Sequence, residues 1–163
     1  LPKSHNEKIV TIKEFLPERE KIAAQKKVLG FTNGCFDILH RGHVEYLAEA
    51  RKLCDFLMVG VNSDSSVKTI KDSGRPIIGE KDRMIIIAAL ECVDYVIKFK
   101  ESTPLILIRK IKPDMLFKGE DWGEDEIVGG DFVKTLGGQV KRIPLVSNRS
   151  TSIIIERIRK RYL

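Results

Sequence analysis

Runs of strand length that are apolar throughout, instead of alternating with polar residues, recur at residues 28–32, 56–61, 95–99, 114–117 and 139–144, with helical periodicity between them. A strand of that kind is buried on both faces, which a parallel sheet covered by helices provides. The pattern therefore predicts an α/β chain of repeated βα units. Right-handed crossovers would then bring the C-terminal loop of every strand to one edge.

The first such loop holds the most unusual chemistry. After the strand at 28–32, Asn33 and Gly34 read as a break, and helical spacing resumes at Val44. Between them lie two imidazoles three residues apart, His40 and His43, separated by Arg41 and Gly42. Residues 65–79 read as a long loop carrying Lys68, Lys71 and Arg75, and loops of that length inside a domain are usually functional. A further loop, 118–123, follows the fourth strand, and Ser150-Thr151-Ser152 caps a final helix. The other expected helices span 82–90, 127–136, and a segment opened by Thr103 as N-cap with Pro104 at the first position. Residues 1–10 read as loose, and the Thr11–Glu14 capping box opens a buttress helix running to about residue 25.

A length of 163 residues suits one domain, here a Rossmann-like sheet of about five parallel strands with helices on both faces. It divides into an N-terminal extension and buttress helix, 1–26, and a main body, 27–163. The charge, 29 basic against 23 acidic residues or +6, favours anionic partners. The cations are interleaved with acids except at Arg157, Arg159, Lys160 and Arg161, where a basic last turn complements the helix dipole. Phosphorylated small molecules fit this better than nucleic acid. No apolar stretch approaches the roughly 20 residues of a membrane helix. Three cysteines without metal-ligand spacing, and no signal-peptide pattern, lead to the expectation of a cytoplasmic protein. The absent initiator Met leads to the expectation of a trimmed chain or a piece of something longer.

His40, His43, Lys71, Arg75, Asp121 and the hydroxyls at 150–152 are all expected on the ligand edge, which makes a polyanion site. No Gly-x-Ser-x-Gly elbow, Walker loop or Gly-x-Gly-x-x-Gly fingerprint is present. A histidine pair without a third ligand nearby is a poor zinc site. Asp37, three residues before His40, suits a metal ligand, a histidine-orienting carboxylate or a turn residue.

The stretch Gly34-Cys35-Phe36-Asp37-Ile38-Leu39-His40-Arg41-Gly42-His43 resembles the His-x-Gly-His signature of the cytidylyltransferase-like nucleotidyltransferases, and Ser150-Thr151-Ser152 resembles their second signature. Within them, residues 31–37, Asn62-Ser63-Asp64, Gly74-Arg75-Pro76 and Lys118-Gly119-Glu120-Asp121-Trp122 look like the adenylyltransferases that make ADP-heptose. The resemblance implies transfer of AMP from ATP to D-glycero-D-manno-heptose 1-phosphate, with Mg²⁺ bridging the triphosphate and Asp37 touching the metal or the ribose. It implies catalysis by His40, His43 and Lys71. Nucleotide contacts would come from Thr32, Asn33, Gly34, Cys35, Phe36, Asp37, Gly42, Lys118, Gly119, Asp121, Trp122, Ser150, Thr151 and Ser152. Asn62, Asp64, Lys71 and Arg75 would hold the substrate phosphate. It further implies a homodimer, and fusion to or partnership with a heptose 7-phosphate kinase, with neither nucleic acid nor membrane as partner. Two departures, Arg149 before the serine motif and Asp72 after the lysine, bear on the grip of the phosphates. Glycerol 3-phosphate or FMN as acceptor, CTP as donor, and a non-catalytic nucleotide-binding module are the alternatives.

Overall fold

The computed structural model of the protein describes residues 3–162. In chain order it contains α1 (His5–Lys8), α2 (Ile12–Ala24), β1 (Leu29–Gly34), α3 (Arg41–Lys52), β2 (Phe56–Asn62), α4 (Asp64–Ile70) and α5 (Glu80–Ala88). There follow β3 (Tyr95–Phe99), α6 (Leu105–Ile111), β4 (Met115–Gly119), a 3₁₀ turn (Glu124–Glu126), α7 (Gly130–Thr135), β5 (Gln139–Ile143) and α8 (Thr151–Tyr162). The strands form one sheet in the order β3-β2-β1-β4-β5, and every pair is parallel. This is the Rossmann-like arrangement expected. The chain winds outward from β1 through β2 to β3, then returns to lay β4 on the other side of β1. The carboxyl ends of β1 and β4 therefore flank the switch point at which such sheets bind ligands.

Two cores cover the sheet. On one face Phe15 and Ile22 of α2, Ile108 and Ile111 of α6 and Val133 of α7 pack over Leu29, Phe31 and Leu116. On the other, Leu47 and Ala50 of α3 and Ile87 of α5 pack over Leu57, Val59, Val61 and Phe117. Neighbours such as Leu57 and Met58 enter opposite cores, as the period of two along a strand requires. At the opposite end from the ligand edge, three aspartates fix where strands begin. Asp55, Asp94 and Asp114 accept the amides of Val28, Leu57 and Leu29 at 2.7–2.8 Å, and the amides of the aspartates return a bond to the same residues.

Several local expectations change. Residues 3–10 are ordered by a Ser4–Glu7 capping box opening α1, and Val10 donates to Val96 at the edge of β3; Leu1 and Pro2 lie outside the described residues. Asn33 and Gly34 do not break β1 but continue it, paired with Gly60 and Val61. The expected 65–79 loop begins as α4, because Ser63 is an N-cap whose Oγ accepts from the Ser66 amide. The expected helix at 127–136 shortens to α7, since Gly129, at φ 84°, turns the chain into it. Pro104, not Thr103, holds the N-cap position of α6 and leaves it without a side-chain cap. Finally, β5 is an edge strand whose Gln139, Lys141 and Arg142 are exposed, so the two-sided burial expected of every strand fails there.

Candidate active site

The start of α3 organises the site. His40 is the N-cap of that helix, not a loop residue, and His43 sits in its first turn. The Nδ1 of His40 accepts the Gly42 amide at 3.1 Å, so in the neutral ring the proton resides on Nε2. The rings of His40 and His43 stack with centroids 3.8 Å apart, and Phe36 meets His43 edge-on at 5.3 Å. A Cβ on Gly42 would lie 2.9 Å from the His40 ring and 3.2 Å from the Cβ of Arg149, so only glycine lets these three segments meet. Burial, with His40 alongside, pulls the pKa of His43 down to about 4; burial lowers that of His40 as well. Both imidazoles are therefore neutral donors at pH 7. The Nδ1 of His43 is buried without a hydrogen-bond partner.

Asp37 braces the loop between β1 and α3. Its carboxylate, fully buried, accepts from Arg75 Nε at 2.6 Å and from the amides of Ile77 and Ile78 at 2.8 and 2.9 Å. Burial alone would raise its pKa, but the two amides and the guanidinium outweigh it and hold the carboxyl below its usual range. Its carbonyl accepts the hydroxyl of Thr151, which ties the first signature to the start of α8. The loop stores backbone strain, with Phe36 and Ile38 both at φ 48°. Of the roles open to Asp37, metal ligand, histidine-orienting carboxylate or turn residue, the bonds of its carboxylate display the last. Among the described residues no cluster of three or more His, Cys, Asp or Glu side chains is placed to hold a metal.

On the other side of the switch point, Lys118 at the end of β4 donates to Asn33 Oδ1 at 2.7 Å and lies 5.4 Å from the centre of the Trp122 ring. Burial drops its pKa to about 8, with nearby Asp121 pulling the other way. Burial also raises the Cys35 thiol, against Lys71, Arg83 and Arg75.

These groups line one cavity of about 630 Å³ at the carboxyl edge of the sheet. It brings together Asn33, Gly34, Cys35, Phe36, Asp37, His40, Gly42 and His43 with Asn62, Lys71 and Arg75, and with Lys118, Gly119, Asp121, Trp122, Ser150, Thr151 and Ser152. Two expected residues do not line it. Thr32 is buried behind the wall with its hydroxyl 2.9 Å from that of Tyr46. Asp64 heads α4 and is bound to Arg83 at 2.8 Å, outside the cavity lining. Arg149, singled out beside the serine motif, lines the cavity as well; sequence reasoning missed Tyr46 and an apolar side formed by Val128, Leu145 and Val146. Tyr46 had a readable signal, since it follows His43 by three positions on one helix face; the apolar side had none.

Comparison with known proteins agrees with this geometry. A family model described as Cytidylyltransferase-like matches residues 31–158. The chain belongs to the cytidylyltransferase-like family. The bifunctional protein HldE of Syntrophotalea carbinolica is 53% identical over 136 residues, covering 83% of this chain but 28% of that protein. Its counterpart in Pseudomonas entomophila is 48% identical over 152 residues, covering 93% of this chain and 32% of the relative. This cytidylyltransferase-like chain thus spans about a third of the length of those relatives or less. A lipopolysaccharide core biosynthesis protein from Thermoplasma volcanium superposes with a TM-score of 0.62 at 32% identity, over 76% of this chain and 99% of that one. A pantoate-beta-alanine ligase from Francisella tularensis, at a TM-score of 0.59 and 17% identity, covering 94% of this chain and 79% of its own, shares the fold.

Proposed function

We propose that this chain transfers AMP from ATP to D-glycero-D-manno-heptose 1-phosphate, releasing pyrophosphate. The observation that carries the reading is the convergence of the stacked His40–His43 pair and the start of α8 on one cavity. Its volume falls within the roughly 300–1,000 Å³ usual for small-molecule sites. Similarity to the HldE proteins and to a lipopolysaccharide core biosynthesis protein supports the choice of acceptor.

In this reading an oxygen of the acceptor phosphate attacks the α-phosphorus in line as the bond to pyrophosphate breaks, without a covalent protein intermediate. Positioning and charge stabilisation then supply the rate. His40, with its proton held on Nε2, donates to the oxygens gaining charge, and neutral His43 donates beside it. Ser150 Oγ accepts from the Ile153 amide and so keeps its own proton for a phosphate oxygen, while the leading amides of α8 lie at the positive end of the helix. Thr151 commits its proton to Asp37 and acts by holding α8 in place. Lys71 faces the phosphates. Arg75 meets Asp37 through Nε, which leaves its Nη groups for the acceptor. Lys118, Gly119, Asp121 and Trp122 embrace the nucleoside, with Leu145 and Val146 along the base. Mg²⁺ in such a reaction neutralises the triphosphate. Among the described residues no cluster of three or more His, Cys, Asp or Glu is placed to hold it, so it would be carried by the phosphates.

Residues 27–163 carry the transfer in this reading, and 1–26 extend and buttress it. A homodimer in the cytoplasm, supplied by a sugar kinase, belongs to the same proposal. Incubation with each NTP and a panel of sugar 1-phosphates, glycerol 3-phosphate and FMN, read by pyrophosphate release, tests it. ATP with the heptose phosphate is expected to lead. A preference for CTP, glycerol 3-phosphate or FMN refutes the substrate assignment, and nucleotide binding without any turnover reduces the chain to a binding module.

A further inference from the structure

Arg83 does not line the cavity. It belongs to α5, and its side chain is fully buried. A guanidinium is stable there only if its donors find partners. Nε donates to the Ile78 carbonyl at 2.8 Å, Nη1 to the carbonyl of Cys35, and Nη2 to the Asn62 carbonyl and to Asp64 Oδ1, each at 2.8 Å. Three of these acceptors are main-chain carbonyls, two of them, Cys35 and Asn62, from residues that line the cavity and the third, Ile78, from the segment behind it. Cys35 directly follows β1, Asn62 ends β2, and Ile78 is the residue whose amide grips Asp37.

One planar group thus joins the His40–His43 side of the cavity to the Lys71–Arg75 side. Carbonyls at the carboxyl ends of parallel strands would otherwise turn their negative ends toward a triphosphate. Here they are taken as acceptors by a cation behind the wall. That cation reaches the cavity electrostatically, being one of those that oppose the burial-driven rise of the Cys35 thiol. A lysine carries the charge but cannot reproduce a fork directed at four acceptors.

We propose that Arg83 is a positioning residue for the transfer reaction, setting the spacing of the two phosphate-binding walls by holding the carbonyls of Cys35, Asn62 and Ile78. The inference rests on the transferase reading above. It is tested with Arg83→Lys and Arg83→Met, by thermal melting, steady-state rates, ATP calorimetry and the pH profile of Cys35 alkylation in a Cys54→Ser, Cys92→Ser background. The lysine variant is expected to fold and bind ATP within about threefold of wild type, yet to lose roughly 10–100-fold in kcat, the scale of a small misplacement. The methionine variant should lose as much and move the Cys35 profile to higher pH, whereas the lysine variant should leave that profile in place. A folded Arg83→Lys with kcat within twofold of wild type overturns the proposal, as does an Arg83→Met that melts earlier but turns over normally. If neither variant folds, Asp64→Ala removes a single, partly exposed acceptor: a kcat lowered about threefold or more supports the role, and an unchanged kcat overturns it. Wild-type protein that releases no pyrophosphate refutes the transferase reading instead, and the Cys35 profile then decides alone whether Arg83 shapes the cavity.

Discussion

Replacing Asp37 with Asn separates a brace from a metal ligand. The carboxylate is inaccessible to solvent, its partner Arg75 is 13% exposed, and three donors converge on its two oxygens. Asparagine keeps the shape and one acceptor oxygen, but its NH₂ must face at least one donor, and the charge is lost. A hydrogen bond to a charged group contributes about 1.5–3 kcal/mol and a buried unsatisfied amide costs about 1–3 kcal/mol. The sum, about 2.5–6 kcal/mol, brackets the roughly 3–5 kcal/mol usual for breaking a buried ion pair. Taking the lower end, because the shape is retained, and a urea m-value of about 2 kcal/mol/M, the unfolding midpoint should fall by roughly 1.5 M at pH 7. The folded carboxyl titrates below its unfolded value near 3.9, so its contribution is complete above that pH and is lost as pH falls through the folded value. The gap between wild type and variant should therefore narrow below about pH 4. The Mg²⁺ concentration for half-maximal turnover should stay the same. An unchanged urea midpoint, or intact stability with a large shift in Mg²⁺ requirement, would refute the brace.

Two further perturbations follow from distances and charge. Gly42→Ala places a methyl 2.9 Å from the His40 ring, so turnover should drop by at least about tenfold while ATP affinity, read by calorimetry, changes little. Lys118 is depressed to about 8, so kcat/KM should fall as pH rises past that value, and Lys118→Arg should abolish that limb of the profile.

The βα rhythm was legible because the strands between two helical layers carry little besides carbon. The signature at residues 34–43 was legible because imidazoles flanking a glycine at a strand end suit few purposes. What the sequence concealed were pairings between distant segments. Nothing local marks Asp37 as the partner of Arg75, or Thr151 as the donor to a carbonyl 114 positions away. The fork of Arg83 is likewise invisible, for its acceptors are main-chain atoms that any residue would supply. By contrast, α4 was missed although Ser63 offered an N-cap, because its seven residues are too few for helical periodicity to stand out. The pairing of Asp64 at its start with Arg83 was hidden with it.

Single-turnover conversion of ATP and heptose 1-phosphate to ADP-heptose, followed side by side for wild type and His43→Ala, tests the central claim most directly. In the proposed mechanism neutral His43, stacked on His40, donates to an oxygen on the reacting phosphorus, so the variant should bind ATP almost normally and turn over about 10²–10³-fold more slowly. A variant that forms ADP-heptose at the wild-type rate would contradict the account.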